Sequence, residues 1–118
     1  MNTPVNFEIA KLLKAKGFDE ITNYNYSEVY GYIENINALK HSDGNNRFVS
    51  APTISEVVMW LYEKYGIWIS VQPNEPYVDN DWCFTIFKDF VKNTSLEGYD
   101  SQTEAYEAGI IYALNNLI

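Results

Sequence analysis

The stretch Thr53-Ile54-Ser55-Glu56-Val57-Val58-Met59-Trp60-Leu61-Tyr62-Glu63-Lys64-Tyr65-Gly66-Ile67-Trp68-Ile69-Ser70-Val71 decides the fold. It changes period in the middle. Ile54, Val57, Val58, Leu61 and Tyr65 recur at helical spacing and predict one buried stripe. Thr53 and Glu56 make the capping box Thr-x-x-Glu, in which the hydroxyl and the carboxylate each accept from an orphan N–H of the first turn. Gly66 stops the helix. From Ile67 the pattern alternates, so Ile67, Ile69 and Val71 share one face of a strand.

Working outward, the upstream segment reads as helix, then short strands. Thr3 and Pro4 suit a helix start. Val5, Ile9, Leu12 and Leu13 give the apolar stripe, Gly17 is a C-terminal stop, and Phe18 can fold back over the last turn. Tyr24, Tyr26, Tyr30 and Tyr32 share one parity, which predicts one bent strand or two short ones around Ser27 and Glu28. Residues 40–46 are loop chemistry, and Arg47 to Val49 could form a short strand.

Downstream, Pro73 and Pro76 enforce a turn or loop. Trp82 to Phe87 is a second β run, which Phe90 and Val91 extend after a kink; Asn93 to Gly98 is turn or loop. The last helix begins at a capping box, Ser101 with Glu104. Tyr106, Ile110, Ala113, Leu114 and Leu117 line it. Gly109 lies in that stripe and would allow a close approach to the sheet.

The expected architecture is α+β, with order α-β(β)-α-β-β-α. It is a two-layer fold: about three helices on a small, mainly antiparallel sheet. The 118 residues suit a single domain spanning 1–118. With 47% hydrophobic residues, a core needs no disulfide or metal. Only one cysteine is present, so no intramolecular disulfide is possible. Lys11 and Lys14 interrupt the place where the apolar core of a signal peptide would lie. No run approaches the ~20 apolar residues of a membrane span. The expected compartment is the cytoplasm, with no membrane partner.

The net charge of -8 comes from 16 acidic and 8 basic residues. Nucleic acid is held by Lys and Arg that displace counterions from phosphates. Here Lys11, Lys14 and Lys16 are the only dense basic group, and they serve the C-terminal end of the first helix. No basic residue follows Lys92. Nucleic acid is therefore not an expected partner.

Sites of chemistry are sparse. A Cys–His nucleophile would need Cys83 activated by His41. Cys83 sits between Trp82 and Phe84 in a strand pattern and reads as a small buried hydrophobe. One Cys and one His cannot supply a zinc set. Asp79-Asn80-Asp81 opens like a calcium loop but lacks the required glycine and closing glutamate. No phosphate-binding glycine loop occurs. No carboxylate pair is marked by a motif. No catalytic, cofactor or metal residue is assigned, no cofactor is expected, and the chain is read as a non-enzyme.

The tyrosines stand out: 10 of them, beside 3 Trp. They either pack under a helix, as aromatics in strands ordinarily do, or serve as rigid amphipathic anchors for a partner. The second reading makes Tyr24, Tyr26, Tyr30 and Tyr32 the interaction surface of a protein that binds another protein. The alternative is a binder of a nucleotide signal, which needs Arg47, Lys88 and Lys92 to converge on its phosphates. An uncharacterised enzyme ranks last.

Three runs also carry a resemblance: residues 50–69 (Ser50 to Ile69), 8–18 (Glu8 to Phe18) and 103–108 (Thr103 to Ala108). Together they resemble a family of short proteins of no assigned activity encoded by phages and prophages of the Bacteroides group. The resemblance implies a small phage-encoded protein in the host cytoplasm. It carries over no catalytic or binding residue. Taken with the charge, the aromatics and the small size, it leads to the reading of an accessory factor that binds a host or phage protein, in one form an inhibitor of a host defence protein.

Overall fold

A computed structural model describes residues 3–27, 31, 33–34, 48–74, 81–89, 91–94 and 98–118. The α+β class and the expected element order hold: among these residues are three helices and six strands. The strands form two antiparallel sheets of three rather than one. The chain divides into two compact units, Asn2–Thr53 and Ile54–Ile118.

In the first unit, α1 spans Phe7–Ala15. Its cap is Asn6, not Thr3: the Asn6 Oδ1 accepts from the N–H of Ile9 at 2.9 Å. Thr3 and Pro4 lie before the helix, where Pro4 makes an isolated antiparallel bridge to Thr53. Asn outranks Thr as a cap, and the bridge holds residues 3–5 extended. The other end closes as expected. The Phe18 N–H donates to Leu13 O at 2.9 Å and the Gly17 N–H to Lys14 O at 3.2 Å. This is a Schellman motif, and its left-handed residue is Gly17 at φ +87°. Phe18 is buried.

The tyrosine-rich segment forms two short strands, β1 (Asn25–Ser27) and β2 (Ile33–Glu34). β3 follows at Phe48–Ser50. The order is β2-β1-β3, with Tyr26 opposite Ile33 on one side and Val49 on the other. α1 packs on β3.

In the second unit, α2 runs Ile54–Tyr65, directly after Thr53. Ile54, Val57, Val58 and Leu61 are buried as the stripe predicts. Gly66 ends the helix, and β4 (Trp68–Pro73) starts two residues later. β5 is Trp82–Lys88, β6 is Val91–Thr94 and α3 is Gln102–Asn116. The sheet order is β4-β5-β6, all antiparallel.

Two expectations are corrected here. Pro73 does not turn the chain but closes β4 opposite Trp82. β4 is an edge strand, where the missing N–H of proline breaks no ladder bond. Val91 does not prolong β5. The chain reverses between Lys88 and Val91, which pair across the hairpin, so Asn93 and Thr94 are strand rather than loop. Asp89 takes the left-handed φ of +51° that such a tight reversal requires and that Asp tolerates.

α3 keeps its predicted box. Ser101 Oγ accepts from the Glu104 N–H at 3.1 Å, while Glu104 Oε2 accepts from the Asp100 N–H at 3.1 Å. Ala105, Gly109, Ile110, Ala113 and Leu114 are its buried face. A Cβ on Gly109 would stand 3.1 Å from Ile69 Cγ2 and 3.2 Å from Phe84 Cγ. The helix therefore lies directly on the β4–β5 face that carries Ile69, Phe84 and Ile86. No helix among the described residues is long and apolar enough to cross a membrane.

Candidate functional site

Strand alternation means that whatever β4 and β5 put beneath α3, their neighbours turn to the opposite face. Ile69 pairs with Ile86 and Val71 with Phe84 on the α3 side; Trp68 with Phe87, Ser70 with Thr85 and Gln72 with Cys83 lie on the other. That second face has a polar strip and an aromatic end. In the strip, Gln72 Nε2 donates to Thr85 Oγ1 at 2.7 Å, and Thr85 Oγ1 lies 3.2 Å from Thr94 Oγ1. Cys83 is buried there, 3% exposed, consistent with the small hydrophobe read from its neighbours.

The aromatic end is exposed. α2 turns its core stripe inward and leaves Met59 and Tyr62, one turn apart, on the outside. The stop at Gly66 then returns the chain at once, so Trp68 meets Tyr62 with ring centroids 5.5 Å apart and planes at 80°. Phe87 stands beside Trp68 as its cross-strand neighbour. Met59 is 44% exposed, Tyr62 53%, Trp68 40% and Phe87 41%. Isolated apolar side chains on a surface are ordinary, and here four of them are contiguous. Met59, Tyr62 and Trp68 line a concavity of about 440 Å³. An adjoining one of about 450 Å³ is lined by Tyr62, Gly66, Trp68, Phe87, Lys88 and Asp89.

Of the described residues singled out from the sequence, Lys88 lines the second concavity and Tyr24, Tyr26 and Lys92 line neither. Tyr26 is half-buried: its hydroxyl donates to Val5 O at 2.8 Å and its ring packs on Phe7 at 5.2 Å. It ties β1 to the entry of α1. Tyr24 is half-buried just before β1, its carbonyl accepting from the Ala51 N–H at 2.8 Å. Tyr30, Tyr32 and Arg47 lie outside the described residues. Lys88 and Lys92 are on opposite faces of their sheet, because Lys92 pairs with Phe87 and Lys88 is the next residue along β5. Lys88 is turned to α3, where its Nζ donates to Leu117 O at 2.6 Å. It supplies the cation that the last turn of α3 lacks.

Met59, Tyr62, Trp68 and Phe87 were the residues missed. A signal for them existed. Met59 and Tyr62 are large side chains off the helical stripe, and Trp68 and Phe87 have the parity opposite to Ile69 and Ile86. Among the described residues no group of three or more His, Cys, Asp or Glu could hold a metal ion. Comparison of the chain with protein-family profiles, with curated proteins and with solved structures finds no match.

Proposed function

We propose that this chain is a non-enzymatic binding protein whose contact surface is the exposed group Met59, Tyr62, Trp68 and Phe87. The observation that carries the reading is the edge-to-face pair of Tyr62 and Trp68, which is rigid, amphipathic and open to solvent. Tyr and Trp are the residues that most often dominate binding energy in interfaces, and Met adapts its shape to a partner. The net charge of -8 favours encounter with a basic protein and opposes nucleic acid. With the phage-family resemblance, the role we propose is an accessory factor acting on a host or phage protein, such as an inhibitor of a host defence protein. A nucleotide-signal binder is the weaker reading, because Lys88 and Lys92 face opposite ways.

The test is retention of a protein from host lysate on the immobilised chain, followed by affinity measurement with the purified partner. The double variant Tyr62→Gln, Trp68→Thr keeps residues suited to a helix surface and an edge strand. It should lose roughly tenfold or more in affinity, as expected for removal of hot-spot aromatics. An unchanged Kd with an unchanged urea midpoint overturns the assignment of the surface. Micromolar binding of DNA or RNA at low salt, weakening steeply as salt rises, overturns the choice of a protein partner.

A further inference from the structure

We infer that the aromatic corner is a receptor for an arginine side chain of a protein partner, with the guanidinium against Trp68 and Tyr62 and hydrogen-bonded to Asp89. This rests on the contact-surface reading above and names the chemistry it selects.

The argument begins with ring geometry. Two rings at 80° with centroids 5.5 Å apart stand edge to face, so the edge of one is spent on the face of the other and a group seated in the corner stacks on the face left open. That face carries the negative part of the ring quadrupole, so the corner attracts a cation. Phe87 extends the Trp68 wall, and Asp89 brings a carboxylate to the same concavity. Lys88, which also lines it, has its ammonium drawn away to Leu117 O. The chain already uses ring faces this way: Lys64 Nζ lies 5.4 Å from the Trp60 ring centroid and 5.6 Å from that of Tyr65.

Among cations, the corner suits guanidinium best. A free small cation would need a pocket that buries most of its surface, and this concavity is open, with its rings 40% and 53% exposed. A small cation therefore binds here only weakly, and tight binding needs a larger body whose flanks cover the rim. A lipid headgroup would bring a phosphate to a chain of net charge -8. A lysine ammonium keeps its tight hydration, whereas a guanidinium is weakly hydrated, stacks flat on an aromatic ring and forks onto a carboxylate. One ring wall and one carboxylate match that pair of demands.

Lys92 is the built-in opponent. It is exposed on β6 opposite Phe87, so its charge repels an incoming cation.

The experiment is an NMR titration of the intact chain with N-acetyl-arginine amide and with its neutral isostere, N-acetyl-citrulline amide. The Trp68 indole N–H and the Met59 methyl report the site. The arginine compound should shift both signals, with the citrulline compound roughly five- to tenfold weaker, as loss of a cation–π contact and a charged hydrogen bond implies. Asp89→Asn should bring arginine down towards the citrulline level, and Lys92→Gln should tighten it by roughly twofold, as removal of a nearby exposed like charge implies. Equal binding of the two amides, tighter binding of N-acetyl-lysine or trimethyl-lysine amide, or shifts confined to other residues overturns the inference. Those results leave the contact surface standing, since that is judged by the partner affinity of the Tyr62→Gln, Trp68→Thr variant.

Discussion

Replacing Gly109 by alanine sets two effects of known sign against each other. In a free helix the change would stabilise by about 1 kcal/mol, because glycine is the poorer helix former. Here the added methyl would meet Ile69 Cγ2 at 3.1 Å and Phe84 Cγ and Cδ2 at 3.2 and 3.3 Å. Ordinary carbon contacts lie near 3.5–4.0 Å, so both neighbours must give by several tenths of an ångström. Neither can do so freely. Ile69 is 1% exposed and Phe84 7%, both are in the sheet, and Phe84 is also packed against the rings of Tyr99 and Tyr112. Moving α3 outward instead loosens Ile110, Ala113 and Leu114 along with it. Overpacking of this kind costs about 1–3 kcal/mol, and the net expectation is a loss of about 1 kcal/mol. Gly109→Val, with two more methyls and a β-branch, should lose roughly 3 kcal/mol or more. Urea denaturation followed by circular dichroism reads both differences. A higher midpoint for Gly109→Ala, with an unchanged slope, would refute the reasoning, because it would mean that helix propensity and not the contact with the sheet decides at this position.

Other expectations follow from single contacts. Lys88→Met should destabilise by about 1–2 kcal/mol through loss of the charged hydrogen bond to Leu117 O and of the cation it brings to that helix end; an unchanged urea midpoint counts against the contact. Ser101→Ala should lose about 1 kcal/mol by removing the acceptor for the Glu104 N–H, measured the same way, and Ser101→Asp should restore it. Tyr26→Phe should lose about 1 kcal/mol with the hydrogen bond to Val5 O, and amide exchange at the start of α1 should quicken; exchange unchanged from the parent would sink that reading. The Cys83 thiol should react with a bulky reagent far more slowly in the native chain than in denaturant, and equal rates would show it is not buried.

The elements legible in the sequence are those whose signals are local. Helix α2 and its stop, the Schellman close at Gly17 and Phe18, and the Ser101–Glu104 box involve residues within a turn or two of each other. The energies that form them are therefore written in neighbouring letters. Thr3 misled because Asn6, three residues on, is the better cap, and because a bridge to Thr53 holds the preceding residues extended. Such a bridge spans about fifty positions, and nothing near Pro4 announces it. Asn25 and Ser50, cross-strand neighbours that are wholly buried, are likewise invisible to a reading of alternation, which expects apolar residues at buried positions.

By itself the sequence determined the α+β class, the order of elements, the acidic surface and the burial of Cys83. Each depends on composition, or on periods of 2 and 3.6 that burial on one face imposes. Only the tertiary structure decided that the six strands among the described residues divide between two sheets, that Val91 turns back as a hairpin strand, and that Tyr26 and Lys88 are held within the fold. It alone brought Tyr62 of a helix to Trp68 and Phe87 of two strands. Period fixes which face a side chain occupies, but strand register and chain reversal fix which faces meet, and those are set by pairing between residues far apart in the chain.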